Sequence, residues 1–278
     1  MENKEIYLSL LPKYELAVDK LINSKILDKK INYNEDLIEI KINMDYNKEE
    51  SRTIATKEIT DIVMNIVKTV ILKEYIHKTY DEIYNEHKNN IYSKALEVFE
   101  KKEILIRESI FYRVDKYIEN NNYIDIDGFV KFRMKELIGY ISNIADSALE
   151  EYLVKKDYDE FISVLKYFIK VQDTKIDTLK IYIRKDNSFI LYDKNDNIIE
   201  NENDKELMDM FIKENLNYED FLISTLLSLC PNHIIIYDSL KTNSSREMVD
   251  TIKAIFENRV EEMQKSWFKS KNILKKIY

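Results

Sequence analysis

Apolar residues recur at two different periods along the chain. The two-residue period of a β-strand is most evident in the first fifty residues. Apolar and charged side chains alternate over residues 37–42 (LIEIKI), which predicts a half-buried β-strand. Residues 5–11 predict another short strand. Pro12 follows at a place suited to the first turn of a helix, and apolar residues over 13–29 recur at helical spacing. Residues 1–50 are therefore predicted to form a small strand–helix–strand unit.

From Ser51 onward the apolar side chains recur every three or four residues, which is the period of one helix face. The recurrence predicts helices over about 59–71, 81–119, 127–149 and 161–169. Asp127 is the predicted N-cap of the third helix, because an aspartate oxygen can accept a hydrogen bond from a first-turn amide. The middle of the chain is therefore predicted to be helical.

Near residue 176 the pattern changes to short strands and helices. The turn Lys185–Ser188 joins two predicted strands, because its Asp-Asn pair tolerates the backbone of a hairpin turn. The predicted elements are strands over 179–184, 189–193 and 233–237, helices over 204–214 and 218–229, and a helix from the capping box Ser244–Glu247 to Val260.

These elements predict an α+β fold that is mainly helical. A small N-terminal β-containing unit (1–50) precedes a helical region (51–175), and a C-terminal mixed α/β unit carrying a hairpin (176–278) follows.

The composition excludes several kinds of functional site. The 278 residues include two Gly, one Cys and three His. Phosphate-binding loops, dinucleotide fingerprints and nucleophile elbows need several glycines at fixed spacing, and a cysteine-based metal site needs more than one thiol. We therefore expect no bound cofactor. The net charge of −8 argues against a nucleic-acid partner, because phosphate binding favours a basic surface.

Two features predict a soluble protein of a reducing compartment. The first residues, MENKEIYLSLL, have acidic side chains at positions 2 and 5 and no long apolar run, unlike a signal peptide. The longest apolar stretch, 221–230, has about half the length of a transmembrane helix.

One acidic segment resembles a calcium-binding loop. Asp125 and Asp127 precede Gly128 at the spacing of such loops, but Tyr123 and Met134 occupy the first and last ligand positions, where carboxylates are needed. We therefore interpret this segment as the beginning of a helix.

Two other parts of the chain contain possible metal ligands, and neither matches a known site well. Residues 193–197 and Asp204 have the spacing of calcium ligands, but Ile198 replaces the required glycine, so a polar turn is the better interpretation. His77 and His87 lack a third ligand and do not make a convincing zinc site.

Cys230 and His233 are the candidates for nucleophilic catalysis, since a thiolate nucleophile needs a base within hydrogen-bond reach. Both lie at a predicted junction between a helix and a strand, where side chains three residues apart need not face each other. Cys230 also follows an apolar helix. We therefore favour a small core residue over a catalytic thiol.

Several segments together resemble a known family. Residues 127–135 (DGFVKFRMK) resemble a GF-x-x-FR-[LM]-K motif, and ALEEY at 148–152, YDEFISVLKYFIKVQ at 158–172 and FLISTLLSLCPNHIII at 221–236 follow it. In this order they resemble the YtxC-like family, sporulation proteins of endospore-forming bacteria. The resemblance implies a cytoplasmic role in sporulation. It does not identify any catalytic residue. By its own pattern, 158–172 is predicted to be a buried helix rather than a binding segment.

The motif itself has a structural interpretation, which we favour over a ligand site. Gly128 would open a helix beside a capping aspartate, Phe129 and Phe132 would anchor that helix to the core, and Arg133 could pair with a carboxylate of another helix. Lys135 completes the motif.

The C-terminal residues differ in charge from the rest of the chain. Residues 264–278 (QKSWFKSKNILKKIY) contain five Lys and no acidic side chain. The residues that could contact a membrane or a partner are Trp267, Phe268, Lys269, Lys271, Lys275 and Lys276. They could bind an anionic membrane surface or an acidic partner. The favoured alternative is a helix that buries Trp267 in its own domain and leaves the lysines in water.

Three functions remain open from the sequence. The leading hypothesis is a non-enzymatic, cytoplasmic sporulation protein that binds an unidentified protein partner. The second is a peripheral membrane protein that uses the lysine-rich C-terminal residues during spore formation. The third is an enzyme whose site is assembled from scattered Asp, Glu, Tyr and Arg residues. A sizeable pocket with converging carboxylates or Arg and strongly shifted pKa values would favour the third, and an exposed apolar patch or groove would favour binding.

Overall fold

The computed structural model describes residues 3–22, 28–45, 49–184, 188–199, 218–238 and 243–263. The chain forms two compact units, Met1–Lys155 and Lys156–Tyr278. The α+β, mainly helical fold class is confirmed. The division into three segments stays a prediction. The predicted helix over 204–214 and most of the predicted hairpin turn lie outside the described residues.

The first unit contains a mixed four-stranded sheet in the order β2-β3-β1-β4. The strands are β1 (Asn3–Leu10), β2 (Lys29–Tyr33), β3 (Ile38–Asp45) and β4 (Tyr123–Asp125). β3 is antiparallel to β1 and β2, and β4 is parallel to β1. The predicted alternation in β3 is confirmed, because Ile38, Ile40 and Ile42 are buried. β2 and β4 were not predicted.

Helices pack with the buried side of this sheet into one hydrophobic core. They are α1 (Glu15–Ile22), α2 (Glu49–Ile66), α3 (Leu72–Thr79), α4 (Asp81–Tyr84), α5 (Lys88–Asn120), α6 (Ile126–Arg133) and α7 (Lys135–Val171). Pro12 begins a short 3-10 turn before α1, where its missing amide costs no hydrogen bond. A π-helical turn, Val67–Ile71, joins α2 to α3.

The boundaries of the central helices differ from the prediction. The stretch 81–119 is interrupted by a 3-10 turn at Asn85–His87. The predicted helix 127–149 breaks at Met134, where φ is −124° and ψ is 39°. The next helix, α7, then continues to Val171, because no glycine or proline lies between residues 140 and 171 to end it.

The second unit contains another four-stranded sheet, in the order β6-β5-β7-β8. Its elements are β5 (Thr178–Ile183), β6 (Phe189–Tyr192), α8 (Tyr218–Leu229), β7 (His233–Asp238), α9 (Asn243–Phe256) and β8 (Val260–Glu262). β5 and β6 form the predicted antiparallel pair, and β7 lies parallel to both β5 and β8. The final helix ends earlier than predicted, because Glu257 adopts a positive φ of 48° and Val260 begins a strand.

One side of α7 contributes to the core of the second unit. Ile162 and Ile169, two helical turns apart, are buried there with Leu226 and Ile252. Phe161 and Phe168 are exposed. The prediction that 158–172 is a buried helix is therefore wrong for one side of it, because only the side that carries the isoleucines faces the sheet.

Candidate functional site

The segment that carries the family motif begins at the end of β4. Asp125 is the N-cap of α6, since its Oδ1 accepts a hydrogen bond from the Gly128 amide at 2.8 Å. The prediction that Asp127 is the cap is wrong, because the extended backbone that a cap requires occurs at Asp125, the last residue of the strand.

Asp127 instead lies inside the first turn of α6 and has two side-chain partners. The Tyr14 hydroxyl donates to its Oδ1 at 2.9 Å, and Lys131 Nζ lies 2.7 Å from its Oδ2. Burial opposes ionisation, yet the contacts with Lys131 and Tyr14 hold the pKa of Asp127 below its usual value. Burial and the hydrogen bond to Asp127 raise the pKa of Tyr14 above its usual range.

The two phenylalanines of the motif have opposite environments. Phe129 is buried and packs edge-on against Tyr117, with 5.2 Å between ring centroids. Phe132 is 73% exposed, so the prediction that it anchors the helix is wrong. Residues three apart lie near the same side of a helix, so the core covers that side of α6 at Phe129 and does not cover it at Phe132, one residue before the helix ends.

Arg133 and Lys135 are both exposed. The guanidinium of Arg133 lies over the Tyr117 ring, 5.6 Å from its centroid, rather than against a carboxylate. Lys135 is the first residue of α7. Burial and capping thus account for Gly128 and Phe129, whereas Phe132, Arg133 and Lys135 face water.

A groove of about 460 Å³ lies beside this exposed part of the motif, between α5 and α6. We call it the α5–α6 groove. Its lining residues are Ser109, Tyr112, Arg113, Lys116, Tyr117, Asn121, Phe129 and Arg133.

The charged groups of the α5–α6 groove are cationic. Arg113 pairs with Glu136 and donates from Nη1 to the carbonyl oxygen of Arg133 at 2.9 Å. Lys116 Nζ lies 4.4 Å from the centroid of the Tyr112 ring. Within the described ranges, neither Lys116 nor Arg133 has a carboxylate partner. Both cations lie on aromatic faces, an arrangement that keeps them in place for an anionic ligand.

Sequence reasoning found only two lining residues of the α5–α6 groove, Phe129 and Arg133. The six residues from α5 and its C-terminal end were missed. A signal was present, since Tyr112-Arg113 and Lys116-Tyr117 are two aromatic–cationic pairs one helical turn apart.

The candidate calcium ligands Asp125, Asp127 and Asp193 accept hydrogen bonds from other groups of the protein. In the second candidate, Asp193 Oδ1 accepts from the amides of Asn195 and Asn197, as expected of a polar turn. The hydrogen bonds from Asn197 and Asn195 lower the pKa of Asp193. Asp204 lies outside the described residues. In the part of the chain that is described, no three His, Cys, Asp or Glu side chains converge as a metal site would require.

Cys230 and His233 are not arranged as a nucleophile and its base. Cys230 is fully buried, and its thiol points toward the carbonyl oxygens of Ile169 and Gln172 at 3.7 and 3.9 Å. His233 is partly exposed and lies 3.5 Å from Glu261. The interpretation of Cys230 as a core residue is confirmed.

His77 and His87 belong to different surroundings. The Tyr152 hydroxyl lies 2.9 Å from Nδ1 of His87, and the two rings are 5.6 Å apart. His77 lies within α3.

The tail residues from Trp267 to Lys276 lie outside the described residues, so their contacts stay a prediction. None of the helices in the described ranges combines the length and apolar character that a membrane crossing needs.

Comparison with known proteins identifies the family. The model of the YtxC-like family matches residues 53–261, three quarters of the chain, from α2 to β8. The chain belongs to the YtxC-like family. The resemblance predicted from the motif segments is thereby confirmed, and the matched span includes the α5–α6 groove.

A curated relative gives the same assignment. "Uncharacterized protein YtxC" of Bacillus subtilis (strain 168) is 25% identical over 164 residues, which are 59% of this chain and 56% of the relative. The chain thus covers little more than half the length of that YtxC-like relative. No solved structure matches the chain.

Proposed function

We propose that this member of the YtxC-like family is a non-enzymatic binding protein that acts during sporulation in the cytoplasm of a spore-forming bacterium. The α5–α6 groove is its binding site, and its ligand is an acidic segment of a partner protein. The sporulation role rests on the resemblance of the motif segments to that family. The binding role rests on the groove.

The proposal depends on two cations of the groove, Lys116 and Arg133, for which the described residues supply no carboxylate partner. The whole chain has a net charge of −8, so an acidic partner is repelled by most of it and favoured at this cationic groove. A planar guanidinium also binds carboxylates through two parallel hydrogen bonds, which gives geometric specificity.

The aromatic residues of the groove supply the apolar part of the contact. Tyr112 is 58% exposed at the edge of the groove, and Phe132 is exposed on the same short helix as Arg133. Aromatic and arginine side chains dominate the binding energy of protein interfaces. The proposed ligand therefore combines carboxylates with an apolar or aromatic side chain.

The test is affinity capture from sporulating cells with three baits: the wild-type chain, Arg133→Glu and Lys102→Glu. Lys102 is an exposed lysine of α5 outside the groove and has no ion pair in the described part of the chain, so it controls for the charge change. Thermal melting verifies that all three baits are folded.

We expect a partner that is retained by the wild type and Lys102→Glu, is lost with Arg133→Glu, and is displaced by an acidic peptide that contains phenylalanine. Retention should also decrease as salt increases, because the groove is exposed to solvent. Capture of the same proteins by all three folded baits would refute the proposal.

A further inference from the structure

The second unit carries an exposed apolar stripe on the last turns of α7. Its members are Phe161, Val164, Phe168 and Val171, at intervals of three, four and three residues. Their exposed fractions are 52%, 65%, 47% and 64%. We call these four residues the α7 stripe. An apolar surface that continues over several helical turns is typical of an interaction site, whereas exposed apolar residues that are scattered singly are not.

The α7 stripe is separate from the side of the helix that the fold already uses. Ile162, Leu165 and Ile169 pack in the core of the second unit. Their mean direction lies roughly 100° around the helix from the stripe. Lys166, also away from the stripe, pairs with Glu257 at 2.7 Å. The described residues therefore hold this part of α7 in place and leave the stripe uncovered.

The spacing of the α7 stripe is the heptad spacing with which one helix packs against another. The two phenylalanines occupy one heptad position, a, and the two valines occupy the other, d. In an antiparallel pair of identical helices, each a side chain faces a d side chain of the other copy. A two-fold axis beside residue 166 would set Phe161 against Val171 of the second copy. It would also set Val164 against Phe168, so each contact combines a large ring with a small branched side chain.

Charge selects the antiparallel direction. Asp157 occupies the d position before Phe161, so parallel pairing would set two copies of Asp157 against each other inside the contact, where like charges repel. Antiparallel pairing instead moves Asp157 past the end of the other copy's α7, at Val171. Glu160 would then lie near the level of Lys170, the basic residue in the last turn of α7. The acidic beginning of one stripe is thereby placed beside the basic end of the other.

The area of the α7 stripe is sufficient for a weak dimer. Tyr167, which flanks the stripe, is 69% exposed and would lie beside Tyr167 of the second copy, close to the two-fold axis. Together with the stripe it would bury roughly 500 Å² on each copy. Specific protein interfaces begin at about 1,000 Å² for the two partners together. We therefore expect a reversible dimer whose population depends on concentration.

We propose that two copies of this chain associate through the α7 stripe, as an antiparallel helix pair with two-fold symmetry. Phe161 of each copy packs against Val171 of the other, and Val164 packs against Phe168. Only residues of the second unit contribute to the contact, so it is independent of the α5–α6 groove.

Sedimentation equilibrium of the full chain tests the association. We expect the wild type to approach twice the chain mass of 33.4 kDa as its concentration rises. Val164→Glu should weaken association by roughly a hundredfold or more, because each dimer would bury two carboxylates among apolar side chains. Ser163→Glu is the matched control, since it adds the same charge to an exposed neighbouring residue outside the α7 stripe, and it should associate like the wild type. All three proteins should melt at the same temperature when dilute, because the altered side chains are exposed.

Disulfide cross-linking tests the direction and the register. Val164→Cys and Phe168→Cys proteins, mixed and then oxidised, should form a covalent dimer, because facing side chains bring the two Cβ atoms close enough for a disulfide. Neither protein should cross-link efficiently when oxidised alone. The wild type is the blank for this reaction, because its Cys230 is fully buried.

Four outcomes would overturn the proposal. The wild type could remain monomeric at every concentration. It could form a dimer that Val164→Glu leaves intact, which places the contact elsewhere in the chain. Val164→Cys could cross-link with itself, which indicates parallel pairing. A monomeric wild type could capture a protein from sporulating cells that Val164→Glu fails to capture, which assigns the α7 stripe to a different partner.

Discussion

Asp125 and Asp127 are two residues apart and have different roles. Asp125 is exposed and binds a backbone amide of the helix it precedes, whereas Asp127 is partly buried and binds the side chains of Tyr14 and Lys131. Their contributions to stability can therefore be separated by substitution, because one acts through capping and the other through its charge.

Asp125→Ala removes the N-cap of α6 and should lower the free energy of unfolding by about 1 kcal/mol. Urea unfolding followed by circular dichroism measures this change. Asp125→Asn is the control and should behave like the wild type, because an asparagine oxygen caps a helix as well as an aspartate oxygen does. An equal loss in both variants would contradict a capping role.

Asp127→Asn should make stability less sensitive to acid. The pKa of Asp127 is lowered in the folded protein, so its ionised form contributes stability above the unfolded-state pKa of about 3.9 and loses it as pH falls through the folded-state value. The difference in unfolding free energy between wild type and Asp127→Asn should therefore be largest near neutral pH and shrink toward about pH 3. A difference that is constant over this range would contradict the prediction.

At the scale of elements, α7 is a long helix that contains a glycine. Gly139 is exposed, and a Cβ added there would have no atom within 4 Å. Gly128 is different, because its added Cβ would lie 3.4 Å from Oδ1 of the capping Asp125. A methyl group added at Gly139 would therefore meet open space, whereas one added at Gly128 would contact the capping side chain.

Gly139→Ala should raise the free energy of unfolding by roughly 0.5–1 kcal/mol, because glycine loses more conformational freedom than alanine when a helix forms. Gly128→Ala should give a smaller gain, since its new methyl group contacts the Asp125 carboxylate. Thermal melting of the two variants measures both changes in stability. A lower melting temperature for Gly139→Ala would show that this position is not open.

The sequence predicts an element well when the spacing of apolar residues within that element already shows which side is buried. β3 alternates, and α2 and α8 have stripes at helical spacing, so each is visible without knowledge of its neighbours. β2 and β4 were missed because one has a single inward-facing isoleucine, Ile31, and the other has three residues; both depend on the strands beside them. Six of the eight lining residues of the α5–α6 groove were missed for the same reason, since the groove exists only where Tyr117 and Arg133 meet across two helices.

At the scale of the whole molecule, each unit has its own hydrophobic core, and the buried residues of the two cores do not overlap. Cys230 belongs to the core of the second unit and is the only thiol of the chain. Its reaction with a thiol reagent therefore reports on the opening of that core alone.

Ile236→Ala and Ile42→Ala each remove a fully buried side chain, from the second and the first core respectively. Each should cost about 2–5 kcal/mol in the unit it belongs to. We expect Ile236→Ala to accelerate labelling of Cys230 under native conditions and Ile42→Ala to leave it near the wild-type rate. Equal acceleration by both variants would mean that the two cores open together.

The parallel pairing of β4 with β1 has a consequence for synthesis on the ribosome. Tyr7 is in register with Tyr123, more than one hundred positions later, and its amide donates to the carbonyl oxygen of Asn122. Translation of a hundred residues takes roughly 5–20 s. During that interval residues 7–9 of the first strand lack the partner strand that they have in the folded sheet, so this edge is open to pairing with another chain until β4 emerges.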